Sequence, residues 1–257
     1  MLFALTRAVP ASISECELTH LSRAPINFER ATAQHRQYEE ALESLGCSVV
    51  RAPTLPDLPD SVFVEDAAIV LPELAVITRP GAESRRGEVE SAAAILARFR
   101  PLSHITPPGK LDGGDVLRIG TRIFVGIGGR TNVEGVRQLE QVVAPMGYSV
   151  EAVPVTGCLH LKTAITQVAE RTLLLNPAWV DPGNFAGFEL IEVHPTEPFA
   201  GNALKVGDTI LYPSDHPRTC DRLTDRGVSI KTVPADELAK AEAGVTCCSI
   251  VFVQENL

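Results

Sequence analysis

The sequence predicts an α/β fold in which one supersecondary unit, repeated about five times, closes around an axis within a single domain of 257 residues. Three observations lead there. Five segments share one form: a polar residue, an apolar strand, a short turn and a second apolar strand. The polar residues opening them, Glu65, Asp112, His160, Asn202 and Cys247, recur at intervals of 47, 48, 42 and 45 residues. Between the hairpins lie helix-like stretches, most followed by an extended segment that a glycine precedes. Units of this period cannot cover their own apolar faces and must pack against their neighbours.

Taken in order, Phe3 to Arg7 is an apolar strand whose partner is expected at the far end of the chain, in Thr246 to Val251. Phe28 to Leu45 reads as a helix with His35, Tyr38, Ala41 and Leu42 on one face, and Gly46 stops it before an extended Cys47 to Ala52. The hairpin Val64–Val70 with Ala75–Thr78 precedes a helix over Ser84 to Phe99. Next, Leu111–Leu117 pairs with Arg122–Val125, followed by a helix over Asn132 to Pro145 and an extended Gly147 to Val153. His160–Thr166 pairs with Thr172–Leu175, and Gly201–Val206 with Thr209–Tyr212. Weaker helical stretches, Pro217 to Arg226 and Pro234 to Ala243, flank the extended Gly227 to Val233. Pro53 to Pro59 and Pro107 to Gly109 read as loops within units, so residues 1–257 are expected to form one domain. Polar residues at the strand starts would converge near the axis.

A chain that is 45% hydrophobic can bury a core without metals or staples. Its 32 Asp and Glu outweigh 23 Lys and Arg, and no dense basic run suggests nucleic acid. An acidic surface favours a small cation instead. Met1 to Arg7 is too short an apolar stretch for a signal peptide, and no run approaches the roughly 18 apolar residues of a membrane span. The six cysteines are dispersed, with neither zinc nor redox spacing. Reduced thiols in a cytoplasmic protein are the expectation, and a bridge between adjacent Cys247 and Cys248 would be strained.

Each candidate residue has a bland and a chemical reading. Cys247 is a small buried hydrophobe or a nucleophile that needs help to form thiolate. His160 is a hydrogen-bonded structural histidine or a general acid and base, while His104 and His194 read as loop residues. Glu65, Asp66 and Asp112 pair with Arg79, Arg85 or Arg86 and cap turns, or they cage a planar cation, since carboxylate matches guanidinium in a two-point fork. Gly113 and Gly114 beside Asp112 suit close approach of a ligand. Arg85 and Arg130 are solvated, or hold a substrate carboxylate at a pocket rim. Gly126 to Gly129 lacks dinucleotide spacing, and no metal-type spacing joins the acids to the histidine or cysteine. Neither a cofactor nor a metal is expected.

Six motifs occur in order along essentially the full chain. They are Asp60-Ser-Val-Phe-Val-Glu-Asp66, Ile77-Thr-Arg-Pro-Gly-Ala-Glu-Ser-Arg-Arg86, Leu111-Asp-Gly-Gly-Asp-Val-Leu117, Arg130-Thr-Asn132, Leu159-His-Leu-Lys-Thr163 and Thr246-Cys-Cys-Ser249. In these the chain resembles the dimethylarginine dimethylaminohydrolase family of the guanidino-group modifying (pentein) superfamily. The resemblance implies a five-bladed α/β propeller of ββαβ units around a central channel, and hydrolysis of asymmetric dimethylarginine or monomethylarginine to citrulline and a methylated amine. It implies Cys247 as nucleophile, His160 as general acid and base, and Asp66 and Asp112 as acids that hold the guanidinium. Some members carry Glu in place of Asp112.

The same resemblance implies substrate binding by Asp60, Glu65, Arg85 and Arg130, with both arginines at the substrate carboxylate. Leu18 and Ala241 match positions lining the amino-acid end, Ala241 standing where larger aliphatics act through their backbone. Cys248 falls where the family also accepts methionine. A small guanidino compound is the implied partner, and a homodimer is among the implied assemblies. Competing readings are arginine deiminase, agmatine deiminase, an amidinotransferase, and a non-catalytic propeller that binds through its faces. Only the last predicts loss of the Cys, His and acid set.

Overall fold

The computed structural model describes residues 1–254. In chain order the strands begin with β1 (Leu2–Thr6), β2 (Cys47–Arg51), β3 (Ala68–Val70), β4 (Ala75–Ile77) and β5 (Leu102–His104). Next come β6 (Val116–Ile119), β7 (Arg122–Ile127), β8 (Ser149–Pro154), β9 (Ile165–Ala169) and β10 (Thr172–Leu175). The last are β11 (Glu189–Glu192), β12 (Leu204–Val206), β13 (Thr209–Pro213), β14 (Ser229–Val233) and β15 (Ile250–Val253).

These strands form five three-stranded sheets, each an antiparallel pair with a third strand added in parallel. Four sheets are contiguous in the chain: β3-β4-β5, β6-β7-β8, β9-β10-β11 and β12-β13-β14. The fifth joins the two ends. There β15 runs antiparallel to β1, pairing Val253 with Leu2 and Ile250 with Leu5, and β2 lies parallel to β1. The expected pairing of the Phe3 strand with the last apolar segment is therefore observed, and it makes the ring of five blades covalently continuous except at this seam.

The helices follow the predicted places in four blades. They are α1 (Phe28–Ser44), α2 (Val89–Leu96), α3 (Val133–Val143) and, after a single turn α4 (Leu161–Ala164), α5 (Pro217–Asp225) and α6 (Asp236–Ala239). Asn27 and Asn132 cap α1 and α3 by accepting the amides of Arg30 and Gly135. Gly46, Gly147 and Gly227 turn the chain from helix to strand at φ +90°, +86° and +78°, the left-handed stop that glycine adopts without steric penalty.

Three expectations need correction. The ββαβ unit that the resemblance implies for every blade lacks its connecting helix in the fourth; a 3-10 turn at Pro182–Phe185 takes its place, because Pro177, Pro182, Gly183 and Gly187 interrupt the segment. The helix expected from Ser84 starts as a 3-10 turn, Glu83–Glu88, with Gly87 inside it, and becomes α-helical only at Val89. The helix expected over Pro234 to Ala243 is only the one turn α6.

The polar markers also sit differently. They were expected to open strands, yet each lies in a turn just ahead of one. Glu65 and Asp66 occupy a 3-10 turn, Val64–Ala67, and Asp112 immediately precedes another, Gly113–Asp115. His160 immediately precedes α4, while Asn202 and Cys247 lie in turns before β12 and β15. A strand would send alternate side chains to opposite faces. A turn escapes that alternation and frees backbone groups to bond across blades, as the Glu65 amide does to the Cys247 carbonyl at 3.1 Å.

Apolar clusters fill the spaces between blades and beneath the helices. Leu5, Val64, Ile77 and Ile250 pack between the first two blades, and Phe124 meets Phe185 between the third and fourth, ring centroids 5.0 Å apart. Burial of such side chains contributes about 1.5–3 kcal/mol each. All six cysteines are free thiols. No helix among the described residues is long and apolar enough to cross a membrane.

Candidate active site

The marker turns of the five blades meet at the axis. His160 and Asp112, from neighbouring blades, form a buried pair there, with Nε2 and Oδ2 3.0 Å apart. Asp112 is fully buried, and its other oxygen accepts the Gly81 amide at 2.8 Å. Asp66 lies on the other side of the imidazole, Oδ1 standing 3.9 Å from His160 Nδ1 and accepting the Gly114 amide at 2.8 Å. A Cβ on Gly114 would sit 2.6 Å from His160 Nδ1, so only glycine lets the backbone pass this close. Asp115 anchors the start of α4 by accepting the Leu161 amide at 3.0 Å, and the Thr131 hydroxyl donates to it at 2.6 Å.

Burial opposes charge on His160, but the carboxylates of Asp66, Asp112 and Asp115 outweigh it and raise the imidazole to about 9. His160 is thus an imidazolium at neutral pH, both ring nitrogens carrying protons, and Nε2–H donates to Asp112. Burial also disfavours ionised Asp66, yet His160 and Arg85 overcome this and hold its carboxyl well below the usual range. Asp115, with weaker compensation for burial, is pushed up to about 6. Cys247 is pushed up to about 12 by burial and by the carboxylates of Glu65 and Asp66. Its Sγ accepts the Gly244 amide at 3.3 Å, which holds the sulfur in place without making it a thiolate.

Seven of the ten residues singled out from the sequence line one small cavity: Asp60, Asp66, Arg85, Arg130, His160, Ala241 and Cys247. The other three do not. Asp112 stands behind His160, oriented toward the imidazole and not toward the cavity, which departs from its expected place as a wall of a cation cage. Glu65 lines a different cavity, together with Lys162 and Thr246. Its carboxylate is taken up by Lys162 Nζ at 2.5 Å and by the Thr246 hydroxyl at 2.7 Å. Leu18 packs on the apolar cluster that contains Cys16 and Ala241.

The two arginines differ. Arg85 is 3% exposed and donates to Asp66 Oδ2 at 2.6 Å, to both oxygens of Glu88, and to the carbonyls of Asp60 and Phe63. It was expected free at a rim; instead its guanidinium is committed to holding Asp66. Arg130 has the spare capacity. Its Nη1 is buried without a hydrogen-bond partner and lies 3.7 Å from Asp112 Oδ2. Asp60 gives one oxygen to the Glu17 amide at 3.0 Å, and burial raises its carboxyl.

Asp66, Asp112 and His160 bring ligand atoms within 4.8 Å of one another, the spread of a metal site. Asp66 is already paired with Arg85, however, and Asp112 with His160, so the set is bonded within itself. Sequence reasoning missed Asp115, Lys162, Thr246 and Glu242. The first had a signal, since Asp115 falls within the same motif as Asp112. Asp60, Asp66, Arg130, His160 and Cys247 together offer a thiol, an imidazolium, acids for a cation and a free donor for an anion, the parts that attack on a guanidinium of an amino acid requires.

The sequence model of the arginine deiminase family matches residues 51–206 of this chain. A dimethylarginine dimethylaminohydrolase from Streptomyces coelicolor is 40% identical over 249 residues, 96% of this chain and 95% of that protein. Among solved structures, one of the Pseudomonas aeruginosa dimethylarginine dimethylaminohydrolase, a cysteine-to-serine mutant complexed with citrulline, matches with a TM-score of 0.93 at 32% identity. That match covers 97% of this chain and 98% of the other. A histidine-to-glycine form of a dimethylarginine dimethylaminohydrolase, in an adduct with S-methyl-L-thiocitrulline, matches with a TM-score of 0.92 at 32% identity, covering 98% and 100% of the two chains.

Proposed function

The chain belongs to the arginine deiminase family, among its dimethylarginine dimethylaminohydrolases, and from that membership we propose that it hydrolyses Nω-methylated L-arginines to L-citrulline and a methylamine through a covalent intermediate on Cys247. The observation that carries the reading is the shared cavity: thiol, imidazolium and Asp66 reach it from three different blades.

The substrate guanidinium lies against Asp66, its central carbon facing Cys247. The incoming cation offsets the carboxylates that hold the thiol at about 12 and so favours thiolate. Sulfur attacks the central carbon to form the C–S bond. The tetrahedral adduct collapses with cleavage of the bond to the methylated nitrogen, His160 giving its proton to the departing amine. An S-alkylthiouronium cation remains on Cys247. Now neutral, His160 takes a proton from water, whose oxygen adds to the same carbon. The C–S bond then breaks as the remaining hydroxyl proton passes to the departing sulfur, releasing citrulline and restoring the Cys247 thiol, whose proton leaves to solvent when the next substrate binds. Asp112 keeps the ring oriented and stabilises the imidazolium in both half-reactions. Arg130 meets the substrate α-carboxylate through its unpartnered Nη1, which favours amino acids over decarboxylated guanidines. These steps require no cofactor.

This reading treats residues 1–257 as one catalytic domain, active in the cytoplasm on a small guanidino substrate and engaging neither nucleic acid nor membrane, with a homodimer as one candidate assembly. Light scattering coupled to gel filtration checks the assembly. The decisive assay offers dimethylarginine, monomethylarginine, arginine and agmatine in parallel and reads citrulline, or carbamoylputrescine from agmatine. The methylated arginines should dominate; preferential turnover of arginine or agmatine would overturn the substrate assignment. Cys247→Ser should lower turnover by at least about 10⁴-fold while still binding citrulline in calorimetry. Near-normal turnover would remove the nucleophile assignment.

A further inference from the structure

Four side-chain polar atoms among the described residues are buried without a hydrogen-bond partner: Arg7 Nε, His35 Nε2, Arg130 Nη1 and Glu242 Oε2. Two of the four belong to residues lining the same cavity, Arg130 and Glu242. One is a donor on a cation and the other an acceptor on an acid. A buried polar atom without a partner is unfavourable, and native structures hold few of them. A donor and an acceptor of opposite charge in one cavity are the complement of a zwitterionic amino-acid head group, whose carboxylate accepts and whose ammonium donates.

Glu242 is unusual in two further ways. It is the one non-glycine residue among those described with a positive φ, 59°, a conformation that disfavours L side chains by about 1–2 kcal/mol. Its other oxygen, Oε1, accepts three successive amides, those of Thr19, His20 and Leu21, at 3.0, 2.5 and 2.5 Å. The strained backbone thus holds a carboxylate with one oxygen gathering the loop that follows Leu18 and the other buried without a partner, on a residue that lines the cavity with Ala241 and Cys247.

We propose that Glu242 is a specificity residue of the reaction, its Oε2 accepting the α-ammonium of the substrate while Oε1 keeps residues 19–21 folded against the site. The proposal rests on the amino-acid substrate reading above and extends it to a residue that reads the amino group. Binding would then satisfy both unpartnered atoms at once, Arg130 Nη1 by the carboxylate and Glu242 Oε2 by the ammonium. Closure of the loop would be coupled to the presence of an α-amino group, because one side chain contacts both.

The test compares kcat/KM of the wild type and of Glu242→Gln on asymmetric dimethylarginine and on its deaminated analogue, the same dimethylguanidino chain ending in a carboxylate without the ammonium. Glutamine preserves length, can keep an oxygen toward the loop amides, and removes the charge. The preference for dimethylarginine over the analogue should fall about tenfold to a hundredfold in the variant, the worth of one charge-assisted hydrogen bond. Both substrates meet the same protein, so partial unfolding or a loosened loop cancels in the ratio. An unchanged ratio, with both activities lowered alike or neither lowered, overturns the proposal. If the wild type hydrolyses neither compound, it is the activity reading that falls. Calorimetry with L-citrulline and deaminated citrulline then tests Glu242 by the same change in ratio.

Discussion

The imidazolium of His160 concentrates the chemistry of the molecule in one proton. Asp66, Asp112 and Asp115 all raise its affinity for that proton, and only Asp112 makes a direct hydrogen bond to the ring. Asp112→Asn removes that charge and keeps an atom at hydrogen-bond distance, so His160 should titrate well below its value of about 9. The limb of the kcat/KM profile that reports His160 moves to lower pH accordingly, and kcat falls by about 10²–10⁴-fold. Stability shifts with it. A folded-state value raised above the ordinary one contributes stability that is fully present below pH ~6.5 and is lost as pH rises through about 9. Urea unfolding between pH 6 and 10 should show this decline in the wild type and a weaker one in Asp112→Asn. An identical decline in both would mean that Asp112 does not set the titration.

At the scale of elements, two glycines separate a conformational requirement from a catalytic one. Gly147 ends the helical segment of the third blade at φ +86°, with nothing within 4 Å of where a Cβ would sit. Gly147→Ala should therefore destabilise by about 1–2 kcal/mol and leave turnover of the folded enzyme unchanged. Gly114 has an ordinary φ, but a Cβ there would meet His160 Nδ1 at 2.6 Å and Asp66 Oδ1 at 2.8 Å. Gly114→Ala should lower kcat by at least about a hundredfold, because displacements near 1 Å in a reacting site have that effect. Steady-state kinetics with thermal melting distinguishes the two, and a catalytically intact Gly114→Ala would contradict the close packing. Gly147 was legible in the sequence as a stop because its signal is local. So were the hairpins, for the same reason. The fourth blade departs from the unit that the resemblance implies because Pro177 and Pro182 remove its helix, and the marker residues misled because apolar periodicity registers a strand without saying where its entry turn ends.

Across the whole molecule, one polar chain holds the blades together at the axis. Lys162 of the fourth blade reaches Glu65 of the second, Glu65 accepts the hydroxyl of Thr246 beside Cys247, and Asn202 of the fifth bonds to both Thr246 and the Lys162 carbonyl. The period of the markers revealed that such residues would converge, and even which acids and histidine would do so. Their pairing was not legible, since Lys162 and Thr246 lie inside the His160 and Cys247 motifs but find their partners only when distant units meet. That pairing makes a specific demand on stability. Lys162→Met leaves the Glu65 carboxylate buried with only Thr246 as a partner, which should destabilise the fold by about 3–5 kcal/mol near neutral pH. Burial already raises the Glu65 carboxyl even against Lys162, and without the lysine it rises further. Protonation therefore relieves the defect on acidification, so the gap between wild type and Lys162→Met in urea unfolding should narrow from pH 7.5 toward pH 5. Adding Glu65→Gln to the variant should close most of the gap at pH 7.5. A deficit that neither acid nor the second substitution reduces would assign the loss to packing of the lysine stem and not to the charge it meets.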